Sequence, residues 1–399
     1  MTRVTIVGAG LAGLTAAIAC AEAGAEVVVH EAHATPGGRA RTTPAPWIAH
    51  EGPHAFYADG PHWRWLVERD LVGRAAKLPL REAGKIRFYA AGRLRRLPPA
   101  DLLVMLAHRR RRAPVDRDFR SWAPENFGAG PARAAANLLG VATYDADPGR
   151  LSAAFVWDQL LRIVSPRPPA VRFVVGGWQT VVDRMVARAR EQGVRIVTSS
   201  RVDALPEPPV IVATALESAR ALLGDPTLAW ESGRCALLDL GLVADRRDTF
   251  IVADLDDAGW VERYTGPDPS LAPPGHTLVQ AQMPLRPGEP RAAATARMEH
   301  LLDLGMPGWR DRVAWRRGGV AAGRSGALDL PGYTWRDRPA VDRGDGVFLA
   351  GDLVAAPGMR AEVSINSALA AARLATAPRS VPASPSDDPV RPPGIGTRR

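Results

Sequence analysis

The sequence predicts an α/β protein in which a doubly wound, Rossmann-like unit is interrupted by a second unit, an antiparallel sheet with a helical cap. Three stretches predict it. At the start, the apolar strand Val4 to Gly8 runs into Gly8-Ala9-Gly10-Leu11-Ala12-Gly13, which opens an alanine-rich helix over residues 14–23; a second strand, Glu26 to His30, ends at Glu31. Between Cys235 and Met283 the text changes to short strands separated by Asp, Gly and Pro clusters, the pattern of an antiparallel sheet. Near the end, the strand Gly346 to Asp352 stops at Gly-Asp before another alanine-rich helix over residues 361–376.

Each glycine of the first motif has its own steric task. Gly8 makes the tight turn, Gly10 lets the backbone approach a pyrophosphate, and Gly13 lets helix and strand pack closely. The helix N-terminus at Leu11 and Ala12 turns its N–H groups and the positive end of its dipole toward the phosphates. Glu31, followed by Ala32, stands 18 residues beyond Gly13. A carboxylate there accepts from a ribose hydroxyl and favours FAD or NAD over a 2′-phosphorylated nucleotide.

Composition narrows the class. With 399 residues, 46% of them hydrophobic and 23% charged, the chain reads as an ordinary globular protein of two domains. The net charge of +9 invites a nucleic-acid or membrane partner, yet only Lys77 and Lys85 among the 51 basic residues are lysine. Such an arginine excess, with abundant Ala, Gly and Pro, reads as the codon bias of a GC-rich bacterial genome, and no nucleic-acid partner is expected. Cys20 and Cys235 form no C-x-x-C and no Cys/His cluster, so no metal site is expected. The chain opens on a strand without a signal-peptide pattern and has no run of ~18 apolar residues, so a cytoplasmic protein is expected.

After Glu31 comes Thr35-Pro36-Gly37-Gly38-Arg39-Ala40-Arg41-Thr42, then Trp47 to Gly52-Pro53-His54. Strand, G-x-G-x-x-G, helix, terminal Glu and G-G-R-x-R-T together resemble the flavin-dependent amine oxidase and phytoene desaturase superfamily, which includes protoporphyrinogen oxidase. The resemblance implies bound FAD with the loop at Gly38 beside its pyrophosphate. Arg39 and Arg41 would neutralise phosphate or fix the ribityl region, and the turn at Gly52 and Pro53 would approach the isoalloxazine. His54 would then stand beside the flavin ring as a base or substrate-orienting group, or else be a loop histidine bonded to backbone. His50 and Glu51 share that neighbourhood.

Further along, Gly60 to Val72 reads as a helix with Trp63, Leu66 and Val67 inward, and Lys85 to Tyr89 with Arg93 to Leu97 reads as a hairpin. Residues 99–164 carry helical patterns broken by Pro114, Pro124, Pro131 and Pro148, a small helical cap. Arg109 to Arg112 follow the apolar stretch Leu102 to Ala107 and read as a cationic helix end or as a peripheral membrane contact that admits an oily substrate. Strands are expected at Phe173–Val175, Val194–Val197, Arg201–Leu205 and Val210–Ala215, with a helix over Gln179–Gln192. The last of these strands ends in small residues, Ala213 among them, on the cofactor side. By resemblance, the backbone at Val202 would contact the adenine.

The strand candidates Cys235 to Val243, Phe250 to Ala253, Trp260 to Tyr264 and Thr277 to Met283, with a helix from Pro290 to Leu304, form the floor of a substrate domain. The sequence thus divides into a dinucleotide-binding domain (1–75, 170–225 and 315–376), a substrate and cap domain (76–169 and 226–314) and a disordered tail (377–399). At the second signature, the resemblance implies that Asp352, after Gly351, accepts from a ribityl hydroxyl. It also implies that the backbone N–H groups near Met359, Arg360 and Ala361 meet the flavin N1/O2 edge, where the helix dipole stabilises negative charge.

No second G-x-G-x-x-G occurs, so electrons run most simply from substrate to flavin and on to oxygen, a quinone or another carrier. Amine oxidases of the resembled superfamily keep a lysine near flavin N5, and this chain has none after Lys85; nor does a cysteine precede the C-terminal motif for covalent attachment. Both departures favour non-covalent FAD and a member resembling bacterial phytoene-dehydrogenase-like proteins. The expected activity is an FAD-dependent oxidase or dehydrogenase that takes a hydride from a C–H of a small, largely apolar metabolite, forming C=C or C=N. The alternatives are an isomerase or cyclase without net oxidation, an amine oxidase, and a non-enzymatic carrier of the same fold. Intact Gly10, Glu31 and Asp352 argue against the carrier.

Overall fold

The computed structural model describes residues 2–52, 55–164 and 170–378. Its first sheet is parallel and built from β1 (Arg3–Val7), β2 (Glu26–His30), β8 (Arg195–Val197), β9 (Val210–Val212) and β15 (Val347–Leu349), in the order β15-β9-β1-β2-β8. Thr5 pairs with Val28 on one side and Val210 on the other. These strands are Val- and Ile-rich because helices cover both faces and leave no wet side. Helix α1 (Leu11–Glu22) packs between β1 and the alanine-rich α12 (Ala361–Thr376), while α9 (Trp178–Glu191) turns Val181, Val182, Met185 and Ala189 into the same core. Helix α10 (Leu216–Leu223) closes the other edge.

Two elements of this unit differ from the sequence expectation. Residues 201–205 form no strand; Ser199 takes φ +50° to carry the chain off β8, and Pro206, Pro208 and Pro209 bring no N–H to a ladder. Helix α2 (Pro61–Glu68) is shorter than expected and buries His62, Trp65 and Leu66, leaving Val67 exposed, because a start at Pro61 sets a different helical phase.

The second sheet has seven strands in the order β14-β10-β13-β12-β11-β5-β6: β5 (Ile86–Ala90), β6 (Arg93–Arg95), β10 (Ser232–Val243), β11 (Ile251–Asp254), β12 (Trp260–Arg263), β13 (His276–Pro284) and β14 (Val313–Ala327). Residues 315–327, grouped by sequence with the dinucleotide-binding segments, pair along β10 instead. No strand is read there from sequence, because glycines at 318, 319, 323 and 326 interrupt the apolar pattern. One face of the sheet carries Leu238, Leu240, Val261, Val279, Ala281 and Met283 against Met298, Leu301 and Leu302 of α11 (Arg291–Gly305). The opposite face looks toward the first unit.

A small third sheet, β3 (Ala55–Tyr57), β7 (Val171–Val174) and β4 (Ala75–Ala76), joins the units. The cap consists of α3 (Leu80–Ala83), α4 (Ala100–Ala107), α5 (Phe119–Phe127), α6 (Ala129–Leu138), α7 (Gly140–Thr143) and α8 (Ala153–Ile163). Pro124 and Pro131 lie inside helices rather than between them. Gly128, at φ +89°, separates α5 from α6, and Pro131 falls in the first turn of α6, where its missing N–H costs nothing.

Candidate functional site: a dinucleotide cradle facing a polar sheet

The glycine loop behaves as its three steric tasks require. Gly8 sits at φ +101°, and a Cβ there would come 2.7 Å from the Ala213 carbonyl oxygen. At Gly13 a Cβ would collide with the Gly8 carbonyl, so only glycine lets α1 start against the end of β1. At Gly10 a Cβ would meet nothing within 4 Å. Gly10 faces open space at the N-terminus of α1, which is the cradle a pyrophosphate needs.

The second glycine loop lies directly on the first. Gly37 N–H donates to the Ala9 carbonyl (2.7 Å), Gly37 bridges Gly10, and a Cβ on Gly38 would come 3.4 Å from the Gly10 Cα. Glu31 ties the rim together: its Oε2 accepts from Ala9 N–H (2.8 Å) and its Oε1 from His33 N–H (2.9 Å). Burial raises the Glu31 pKa, but the bonds from His33 and Ala9 outweigh it and hold the carboxyl below its ordinary range. Ala213 packs beneath Gly8 and Gly13; Ala32 is exposed at the rim. Val202 is half-buried beside the β9 cluster.

Two charged residues expected along the pyrophosphate and ribityl stretch of the cofactor find each other. Arg39 donates Nη1 and Nη2 to Asp352 Oδ2 and Oδ1 at 2.6 and 2.8 Å, joining the second glycine loop to the end of β15. Burial opposes the Asp352 charge, but Arg39 and the backbone N–H groups, that of Gly326 among them, hold its pKa below the usual value. The bidentate pair fixes both side chains while leaving Arg39 38% exposed and able to meet a ligand. Arg41 instead braces its own loop, donating to the Gly38 carbonyl (3.1 Å) and to Thr35 Oγ1 (3.2 Å).

At the C-terminal signature, Gly351 N–H donates to Ser367 Oγ, and α12 begins after Arg360, a non-glycine residue at φ +50°. Arg360 reaches across to the cap, where its Nε and Nη2 donate to the Ala142 and Val141 carbonyls at the end of α7. Its guanidinium lies 4.4 Å from the centroid of Tyr144. Met359 N–H donates to Glu362 Oε2 (3.2 Å), so one N–H assigned to the cofactor already has a partner. Glu362 also accepts from Arg162 of α8 at 2.7 Å, and Arg162 pairs with Asp59.

Opposite this, the second sheet presents a polar row that strand register dictates: Glu262, Gln280, Asp239 and Arg317 are direct neighbours on four adjacent strands and share one face. Gln280 and Arg317 both bond Asp239, and both donate to the His50 carbonyl. The row therefore holds the segment that leads to Gly52, where φ is +120° and a Cβ would come 2.5 Å from the Tyr144 hydroxyl. Pro53 and His54 lie outside the described residues. His50 itself accepts from Trp178 N–H at 2.9 Å.

Glu262, also buried, is pushed up to about 7 by burial, against hydrogen bonds from Trp260 and Tyr264. Tyr144 Oη is buried beside the Arg360 guanidinium, and both polar atoms of Gln282 are buried without a hydrogen-bond partner among the described residues. The sequence reading missed Tyr144, Glu262, Gln282, Arg162, Glu362 and the polar row, though Asp239, Gln280 and Gln282 interrupt otherwise apolar strands. A buried strand has no use for such residues unless they are paired or bind something.

Comparisons agree with this geometry. Residues 6–69 match the family of NAD(P)-binding Rossmann-like domains. No curated protein sequence matches the chain. An oxidoreductase from Methanosarcina mazei superposes with a TM-score of 0.75 at 16% identity, covering 92% of this chain and 99% of that one. The chain shares the fold of this oxidoreductase. Cyclohexylamine oxidase from Brevibacterium oxydans shares it at TM-score 0.69 and 16% identity, covering 94% and 98% of the two chains. UDP-galactopyranose mutase shares it at TM-score 0.67 and 13% identity, covering 94% and 95%.

Proposed function

We propose that this protein is an FAD-dependent oxidoreductase holding its cofactor non-covalently, acting on a small metabolite with an apolar body and at least one polar group. The observation that carries the reading is the open face of Gly10 between two interlocked glycine loops, with Glu31 at one end and the Arg39–Asp352 pair at the other. These residues fit a dinucleotide: Gly10 and Gly38 admit the pyrophosphate, Glu31 meets a ribose, and Arg39 with Asp352 meets the ribityl side. FAD, when bound, supplies a two-electron acceptor for a substrate C–H, regenerated by oxygen, a quinone or another carrier.

The chain's own residues do the rest. The α12 N-terminus offers its dipole to negative charge, and Arg162 offsets the charge of Glu362 in its first turn. Tyr144 and α7, pinned by Arg360, close the cap side and keep water out. The polar row fixes the His50–Gly52 backbone, and rigid orientation of a reacting pair removes on the order of 7–11 kcal/mol of barrier. Glu262, bonded to neutral donors, suits the polar group of the substrate.

The test is anaerobic mixing of the loaded protein with apolar amines and polyenes. Bleaching of the visible band without added reductant supports a net oxidation. A redox-neutral isomerisation is the second reading, favoured by the likeness to the mutase; turnover only after prior reduction would establish it.

A further inference from the structure

We propose that residues 80–112, at the outer edge of the seven-stranded sheet and cap, are a docking surface for an anionic lipid bilayer. Ten basic residues against two acidic ones give this stretch a net charge of +8, where the whole chain carries +9. Little of that charge is used internally. Glu82 is buried against Arg263, while Arg93, Arg96, Arg109, Arg110 and Arg112 are exposed and in no ion pair among the described residues.

The apolar half of the surface lies in the same stretch. Leu80, Leu97 and Val104 are 92%, 72% and 61% exposed, the three most exposed large apolar side chains described, and Leu103 is 49% exposed. Helix α4 explains the arrangement. Leu102 and Met105 point into the core, which leaves Leu103 and Val104 outward; Leu97 enters through Pro98 and Pro99, and Arg109 to Arg112 leave at the other end. Exposed apolar side chains flanked along the chain by exposed arginines match the headgroup and acyl boundary of an anionic membrane.

Other occupants fit less well. A second copy across a twofold axis would set +8 against +8. An added strand would meet edge strand β6, whose Arg93 and Arg95 point outward and guard it. Nucleic acid would use the arginines but not Leu80, Leu97 or Val104. No helix among the described residues is long and apolar enough to cross a membrane, so the contact is peripheral.

Sedimentation of the full-length protein with vesicles tests this directly. It should pellet with phosphatidylcholine vesicles containing one-third phosphatidylglycerol, not with pure phosphatidylcholine, and high salt should release it. Arg109→Gln and Arg110→Gln should each weaken binding about fivefold, and the double variant Leu103→Ser/Val104→Ser about tenfold. All four positions are exposed, so the melting temperature should not move. Equal binding to neutral vesicles, no binding at low salt, or binding indifferent to all four substitutions would overturn the proposal. So would a dimer dissolved by Leu103→Ser/Val104→Ser in a protein that ignores vesicles.

Discussion

The two sheets solve opposite problems. The parallel sheet is dry on both faces, and the open site it offers lies at the strand ends, where glycine loops replace side chains by backbone. The antiparallel sheet is dry on one face only, and its other face carries polar side chains that meet across strands: Glu262, Gln280, Asp239 and Arg317. In the first, substitution fails by steric collision; in the second, by leaving a buried charge or amide without its partner. What breaks each sheet should therefore differ in kind.

The largest effect belongs to Gly13→Ala. Its methyl would strike the Gly8 carbonyl, pushing α1 off β1, and a loss of about 4 kcal/mol or more should appear as a large fall in melting temperature. Gly10→Ala, three residues earlier, should leave the melt of the cofactor-free protein unchanged, because its methyl meets nothing. Equal melts for the two variants would break the steric account.

Next is Arg39→Met, which leaves the buried Asp352 charge unpaired and should cost about 3–4 kcal/mol at neutral pH. The sign follows from the depressed Asp352 pKa: the pair's contribution is present above the ordinary aspartate range and is lost as pH falls through the folded value. Parent and variant should therefore converge in acid, which denaturant melts at several pH values will show.

For the polar sheet, Glu262→Gln should stabilise the protein, and only at higher pH. The folded carboxyl titrates near 7 rather than 4.5, so ionisation penalises the fold progressively as pH rises between those values. The gain should be absent below pH ~4.5 and reach on the order of 2–3 kcal/mol above pH ~7. Smallest is Asp239→Asn, expected to cost about 1–2 kcal/mol because its partner Arg317 is one-third exposed and can turn to water. A far larger loss would mean that the row carries the sheet's stability as well as the His50 carbonyl.

The same contrast explains what the sequence disclosed. Gly8, Gly10, Gly13, Glu31 and Gly351-Asp352 were legible because each answers a local demand of a turn, a helix start or a strand end. The Arg39–Asp352 pair spans 313 positions and could not be read from spacing, although both residues had been singled out. The polar row depends on the register of four strands, one of them disguised by glycines, so no window of sequence contains it. Tyr144 was invisible for a related reason: it acts from φ +54° at the end of a four-residue helix, a position with no periodic signal.

The most direct test of the central claim, that the interlocked glycine loops form an FAD cradle, is the visible spectrum of parent and Gly10→Val proteins after incubation with FAD, with the released cofactor identified by chromatography. The parent should be yellow and release intact FAD on denaturation, while Gly10→Val should fold, melt like the cofactor-free parent and stay colourless. A parent that remains colourless with added FAD, or a Gly10→Val protein that retains it fully, would contradict the account.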